Sequence, residues 1–192
     1  RDELLAARCQ VEAAELKVRK LESELDKVSE LVQEDPLTGV LNRRGLEDSY
    51  EREAARADRN GAPLCVGMLD IDNFKLLNDT YGHQTGDGAL QHLVRVIKHT
   101  MRPSDVLARY GGEEFMLLLP ETQQEEAIGV MARLQRNLTK AFFLHANERL
   151  LITFSAGVAL RARAESQASV IERADKALYQ AKCTGKNRVC AA

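Results

Sequence analysis

Four acidic residues stand where two apolar runs break off. The segment PLCVGMLDID, residues 63–72, is almost wholly apolar until Asp70 and Asp72, and RYGGEEF, residues 109–115, carries Glu113 and Glu114 directly after Gly111 and Gly112. Apolar runs of this kind read as strands, and two glycines that tolerate positive φ predict a hairpin between VLARY and FMLLLP. If these strands are neighbours, their acidic ends meet. Carboxylates so gathered repel unless a cation intervenes, and hard oxygen donors without nearby Cys or His suit Mg²⁺. A cation held this sparely takes phosphate oxygens as its remaining ligands. Groups fitted to a nucleotide surround the pair: the amides from Asn73 to Lys75 opening a helix, and Lys182 and Lys186 flanking Gly185. Asn78 and Asp87 add an amide and a carboxylate suited to a guanine edge. The residues alone therefore predict Mg²⁺-dependent nucleotidyl transfer.

Each feature has a plainer reading. A G-G-E-E-F string makes a hairpin with a solvated acidic tip, Asp72 caps the helix that follows it, and Lys182 and Lys186 form a solvated helix end. Joint occurrence favours the chemical reading.

The elements that must position these groups follow from periodicity. NRRGLEDSYEREAARADRNG reads as a helix with Asn42 as its cap, Leu46, Tyr50, Ala54 and Ala57 on one side and Gly61 at its end. After the strand at 63–71 come a short helix from Phe74 to Asp79, a turn TYGHQTGDG, and a longer helix carrying Leu90, Leu93, Val94, Ile97 and Met101, closed by Pro103. The hairpin follows, then a helix through Ile128, Met131, Leu134 and Leu138, a strand LITFSAGVAL, a helix SVIERADKALYQAKCTG and a short strand at NRV. After the first helix the order β-α-α-β-β-α-β-α-β predicts an α+β domain with an antiparallel or mixed sheet flanked by helices.

Residues 1–34 keep a seven-residue repeat: Leu4, Val11, Val18, Leu25 and Val32 share one position, and Ala7, Ala14, Leu21 and Val28 another. These are the a and d positions of a coiled coil, and Val at three a positions favours a parallel two-stranded stalk. Asp35-Pro36 stops it, since proline disfavours helix in the residue before it. The expected domains are thus a coiled-coil dimerisation helix at 1–34 and a globular domain at 35–192, with a hinge between them. The chain opens at Arg1 inside the repeat, so a longer parent is expected.

Composition narrows the partners. With 27 basic and 29 acidic side chains and a net charge of −2, no global basic field exists to hold nucleic acid or an anionic membrane, so neither is expected as a partner. No apolar run approaches the ~18 residues that span a bilayer, and no signal peptide is apparent, which places the piece in the cytoplasm. Cys9, Cys65, Cys183 and Cys190 form no C-x-x-C pair and read as reduced thiols.

Four motifs in order, DPLTGVLNRR, LDIDNFKLLNDTYGHQTGD, RYGGEEF and ADKALYQAKCTGKNRV, resemble the GGDEF family of diguanylate cyclases across residues 35 to about 190. The resemblance implies a nucleotidyl-cyclase or polymerase palm-like fold and condensation of two GTP into cyclic di-GMP with release of two pyrophosphates. It implies that Asp70, Glu113 and the Ile71 carbonyl hold Mg²⁺, for which Mn²⁺ substitutes, with Glu114 assisting catalysis. It assigns Asn78 and Asp87 to guanine, and Lys182, Lys186 and the amides near Phe74 and Lys75 to the β- and γ-phosphates. Arg102 and Asp105 of RPSD match the family's R-x-x-D product-inhibition site, with Arg133 in support. Each half-site takes one GTP, so a homodimer joined through the parallel stalk is implied, gated by stalk register. Glu113 replaces the aspartate of many members. The competing reading is a catalytically silent receptor for GTP or cyclic di-GMP that signals by contact.

Overall fold

A computed structural model of the chain describes residues 15, 17–20 and 33–192. The chain divides into two compact units, Arg1–Gln33 and Glu34–Ala192. In the first, Lys17–Lys20 are helical and exposed. The heptad stalk and its dimer seam otherwise lie outside the described residues.

In the second unit the element order is α1 (Arg43–Asn60), β1 (Leu64–Ile71), α2 (Phe74–Tyr81), α3 (His83–Thr100), β2 (Val106–Arg109), β3 (Glu114–Pro120), α4 (Gln124–Lys140), β4 (Phe143–His145), β5 (Glu148–Leu150), β6 (Phe154–Leu160), α5 (Gln167–Cys183) and β7 (Val189–Ala191). Five strands form one sheet in the order β2-β3-β1-β6-β7, and β4 and β5 form a separate hairpin. β1 runs antiparallel to β3 and β6, β2 antiparallel to β3, and β6 parallel to β7. This is the expected α+β arrangement with a mostly antiparallel sheet.

All eight residues of β1 are buried, because helices cover both faces of the sheet. Side chains alternate across a strand, so each strand feeds two cores. Cys65, Leu69 and Ile71 of β1, with Phe115, Leu117 and Leu119 of β3, meet Leu90, Leu93 and Ile97 of α3 and Met131 and Leu134 of α4. Leu64, Val66 and Met68, with Met116 and Leu118, meet Leu46 and Tyr50 of α1 and Val170, Ala174 and Leu178 of α5. α5 lies unusually close to the sheet at Gly157. A Cβ there would stand 2.0 Å from the Ala174 carbonyl oxygen and 2.3 Å from the Leu178 nitrogen.

Local chemistry sets the helix ends. The Asn42 side chain accepts from the Gly45 N–H at 3.0 Å, and Gly61 closes α1 in the left-handed region at φ 62°. Residues 34–41 form a hydrogen-bonded turn at the start of this unit. Asp35 accepts from the Thr38 N–H at 2.9 Å, its own N–H donates to the Val40 carbonyl at 2.7 Å, and Leu41 bridges to Ala108 beside β2.

The structure departs from the sequence reading in four places. The expected turn over residues 80–88 shrinks to Gly82, whose φ of 86° breaks the backbone between two helices, so α3 begins at His83. The strand expected from Leu151 starts only at Phe154, and the β4–β5 hairpin, turning at Ala146 and Asn147 with positive φ, precedes it. The hairpin at Gly111-Gly112 forms, yet neither glycine takes positive φ. A Cβ at Gly111 would lie 2.7 Å from Glu114 Oε2, the end of a flexible side chain that can swing aside. Finally, Asp72 caps no helix: the cap residue of α2 is Asn73, at φ 58°, and no side-chain cap bond is made there.

Candidate active site

The antiparallel register of β1 and β3 pairs Asp70 directly with Glu114. Alternation then decides where they point: Asp70 shares the face of Leu64, Val66 and Met68, and Glu114 that of Met116 and Leu118, which is the face covered by α5. From the last turn of α5, Lys182 donates its ammonium to Asp70 Oδ2 at 2.9 Å, with the carboxylate only 8% exposed. The close approach of α5 at Gly157 fixes that reach. Glu113 is half-buried one residue before β3, and its carbonyl accepts from the Ile71 N–H at 3.4 Å. The two strand ends therefore bring Asp70, Ile71, Glu113 and Glu114 together, with Lys182 against them.

Burial pushes the Asp70 carboxyl above its ordinary range, and Lys182 only partly offsets this. Burial also raises Glu114, and the charge of Asp70 adds to it, followed by Lys182 in opposition and by Asp175 and Glu113. Such a pair favours a neighbouring cation, and Lys182 supplies one. Among the described residues no group of three His, Cys, Asp or Glu side chains is gathered as a ready-made metal cage. The donors at hand are two carboxylates, Asp70 and Glu113, and the Ile71 carbonyl, which fit a hard cation that completes its shell with water and phosphate oxygen. Beside them a cleft of about 500 Å³ is lined by Glu114, Asp175, Lys176, Tyr179 and Lys182.

The segment after β1 carries the phosphate and base candidates. Asp72 accepts from the hydroxyls of Thr153 and Ser155 at 2.9 and 2.6 Å and from the Asn187 N–H at 3.0 Å, so it ties β6 to the loop before β7. That loop carries Lys186, whose ammonium donates to Asn73 Oδ1 at 2.6 Å and so sits over the start of α2, where the Phe74 and Lys75 amides open the helix. Asn78 of α2 is half-buried, and its Oδ1 is a buried acceptor with no partner. It faces Gly86 of α3, where a Cβ would lie 1.9 Å from that oxygen, and exposed Asp87 follows. Asn78 Oδ1 is thus buried without a partner against Gly86, and the next residue along α3 presents an exposed carboxylate. His83 is exposed at the first residue of α3.

Sequence reasoning missed Arg109. Its guanidinium donates twice to the Gly112 carbonyl, at 3.0 and 2.8 Å, and forks onto both oxygens of Asp35 at 3.3 and 3.2 Å. The acidic turn is thus clasped to the segment at which the globular unit begins. The string D-P-L-T before R-Y-G-G held the signal, an acid and a base flanking two turns. Asp175 and Tyr179 of α5 were missed as well, being legible only once α5 is docked.

Arg102 and Asp105 close a turn of their own: Asp105 Oδ2 accepts from the Arg102 N–H at 2.9 Å. The Arg102 side chain is exposed at a separate cleft of about 550 Å³, which Arg52, Lys98, Ser49 and Asp105 also line. Arg133 is exposed on α4 and is not among the lining residues. It lies one turn before Asn137, which donates to the Thr100 hydroxyl at 3.0 Å at the end of α3.

The described domain is an α+β fold with acidic residues gathered at the adjoining ends of β1 and β3. A family model described as "Diguanylate cyclase, GGDEF domain" matches residues 32–188, and the chain belongs to that family. The chain is 38% identical over 179 residues to diguanylate cyclase DgcP of Pseudomonas aeruginosa, covering 93% of this chain and 27% of that protein. It is 40% identical over 156 residues to diguanylate cyclase DosC of Escherichia coli, covering 81% of this chain and 34% of that one. It thus spans about a quarter to a third of the length of these relatives. Among solved structures, the coiled coil and GGDEF domain of DgcB from Caulobacter crescentus, in complex with cyclic di-GMP, matches with a TM-score of 0.80 at 34% identity, covering 96% of this chain and 98% of that one. Among the described residues no helix is long and apolar enough to cross a membrane.

Proposed function

We propose that this chain is the catalytic part of a diguanylate cyclase, which joins two GTP into cyclic di-GMP and releases two pyrophosphates. The observation that carries this reading is the Asp70–Glu114 register with Lys182 set against it, in a chain that keeps R-Y-G-G-E-E-F whole. In each of two displacements a 3′-hydroxyl oxygen bonds to the α-phosphorus of the other nucleotide, the bond from that phosphorus to pyrophosphate breaks, and the hydroxyl proton leaves.

Lys182 and Lys186, with the amides at the start of α2, bind the terminal phosphates and hold them in line. Asn78 and Asp87 read the base, Asp87 accepting from the guanine donors that adenine lacks. Asp70, Glu113 and the Ile71 carbonyl hold Mg²⁺, which when bound neutralises charge on the phosphate oxygens. Glu114 keeps further negative charge at the site, and Arg109 sets the turn that presents both glutamates.

One domain holds one GTP, so the reaction requires two domains face to face in a homodimer. The heptad repeat of residues 1–34 supports such a homodimer, joined through a parallel coiled coil. A tether of this kind raises the effective concentration of the second half-site to about millimolar. The cleft at Arg102 sets three cations, Arg52, Lys98 and Arg102, against two carboxylates, Glu34 and Asp105, and those cations could receive returning product, which supports feedback inhibition. Pyrophosphate release from GTP in Mg²⁺ tests the reading: the parent is expected to turn over, and a Glu113→Ala, Glu114→Ala variant is not. A parent that binds GTP as a dimer without turnover would instead be a receptor.

A further inference from the structure

The β4–β5 hairpin contributes nothing to the site described above, yet it is seated on the segment that joins Asn78 to Asp87. That segment is a two-helix corner around Gly82, whose N–H donates to the Asn78 carbonyl at 2.8 Å and whose carbonyl accepts from Thr85 at 3.1 Å. Thr85 is buried at 4% exposure, and its hydroxyl lies 2.8 Å from the Tyr81 carbonyl and 3.3 Å from His145 Nδ1. A hydroxyl has one proton to give. The Tyr81 carbonyl can only accept it, so the Thr85 oxygen is left to accept from His145, and the His145 Nδ1 carries the proton.

The same imidazole meets the Tyr81 ring edge to face, with centroids 5.6 Å apart and planes at 67°. Its neighbour Phe143 anchors the hairpin on α3, against Gly88, where a Cβ would fall 3.0 Å from the ring, and against the His92 ring at 5.6 Å. His92 fixes the strand's approach through a 2.7 Å bond to the Ala141 carbonyl. One side chain therefore grips both ends of the corner, Tyr81 closing α2 and Thr85 opening α3. The two base-facing residues lie just outside those ends.

We propose that His145 is a positioning residue for nucleobase selection: through Thr85 and Tyr81 it sets the spacing of Asn78 and Asp87, and so the preference for guanine. The inference rests on the guanine reading of that pair. It extends the specificity site to a hairpin that touches no nucleotide.

The test measures affinities of the whole chain for GTP and for inosine triphosphate, which lacks the 2-amino donor, in the parent and in His145→Leu, His145→Asn and Thr85→Val. The parent is expected to prefer GTP. In His145→Leu and Thr85→Val, GTP affinity falls about tenfold and inosine triphosphate affinity about twofold, because a misplaced polar pair loses most with the ligand that uses all its bonds. His145→Asn, whose amide donates from nearly the Nδ1 position, is expected to keep the parent's ratio within about twofold. An unchanged ratio in both His145→Leu and Thr85→Val overturns the inference, whether both affinities fall together or neither moves. A parent with no preference for GTP overturns the guanine reading, and this inference with it. The first failure is read on the variants and the second on the parent.

Discussion

Replacing Arg109 by alanine cuts the clasp between the acidic turn and the start of the globular unit. Arg109 makes two bonds to the Gly112 carbonyl and two to Asp35, and the ion-paired side chains are only 18% and 15% exposed. A hydrogen bond to a charged group contributes about 1.5–3 kcal/mol, and four sharing one guanidinium do not add. The partners are not stranded by the change. Asp35 keeps the Thr38 N–H and hydroxyl at 2.9 and 2.5 Å, and the Gly112 carbonyl, on an exposed residue, gains water. The expected loss is therefore about 2–3 kcal/mol, below the ~3–5 of a fully buried pair broken on one side.

Because Glu113 follows Gly112 directly, the loosened turn also misplaces a carboxylate. A shift of that kind is expected to lower turnover about tenfold or more, with GTP affinity little changed. Urea unfolding and steady-state turnover of Arg109→Ala, Asp35→Asn and the double variant form the assay. The cycle is expected to return a coupling of about 1 kcal/mol or more between the two side chains. Arg109→Ala within about 0.5 kcal/mol of the parent and with the parent's turnover would refute the reasoning.

Gly157→Ala puts a methyl 2.0 Å from the Ala174 carbonyl, where only backbone could yield, so destabilisation of about 3 kcal/mol or loss of folding is expected by thermal unfolding. At acid pH, Glu165 leads the response. Burial works against its charge, but Arg173, the Ala162 N–H and Ser169 outweigh it and hold it at about 2, against 4.5 in the unfolded chain. Its contribution is full above about pH 4.5 and is lost as pH falls toward 2. Glu165→Gln is thus expected to be less stable than the parent at pH 7, by about 2 kcal/mol, and to converge with it near pH 2 in denaturant titrations. Arg102→Ala is expected to keep the parent's initial rate while product inhibition weakens about tenfold or more, read as the inhibition constant for added cyclic di-GMP.

Periodicity carried most of the architecture. α1, α4 and α5 keep a clean period of 3.6 over enough residues to outvote local noise, β1 and β3 stand out as short continuous apolar runs buried on both faces, and Asn42 and Gly61 mark α1 by cap chemistry alone. The meeting of Asp70 with Glu114 was legible because two apolar runs end in acid. Failures came where geometry is set by neighbours. Gly82 alone makes the turn that three glycines seemed to share, since Gly86 and Gly88 are small to admit Asn78 and Phe143. Three-residue strands such as β4 and β5 are too short to show a period. Asp72 looked like a cap because its three donors, from Thr153, Ser155 and Asn187, lie more than eighty residues away in sequence. Arg109 escaped notice because the distance from Asp35 in sequence hides a clasp that only the folded sheet closes.

The Asp70, Glu113 and Glu114 cluster is expected to join two GTP. Protein stripped of nucleotide, shown to be dimeric and incubated with GTP and Mg²⁺, would be followed by chromatography with mass identification of the product, beside Asp70→Asn and the Glu113→Ala, Glu114→Ala variant. Cyclic di-GMP from the parent and none from either variant is the expected result. A dimer that binds GTP and yields no cyclic dinucleotide would contradict it.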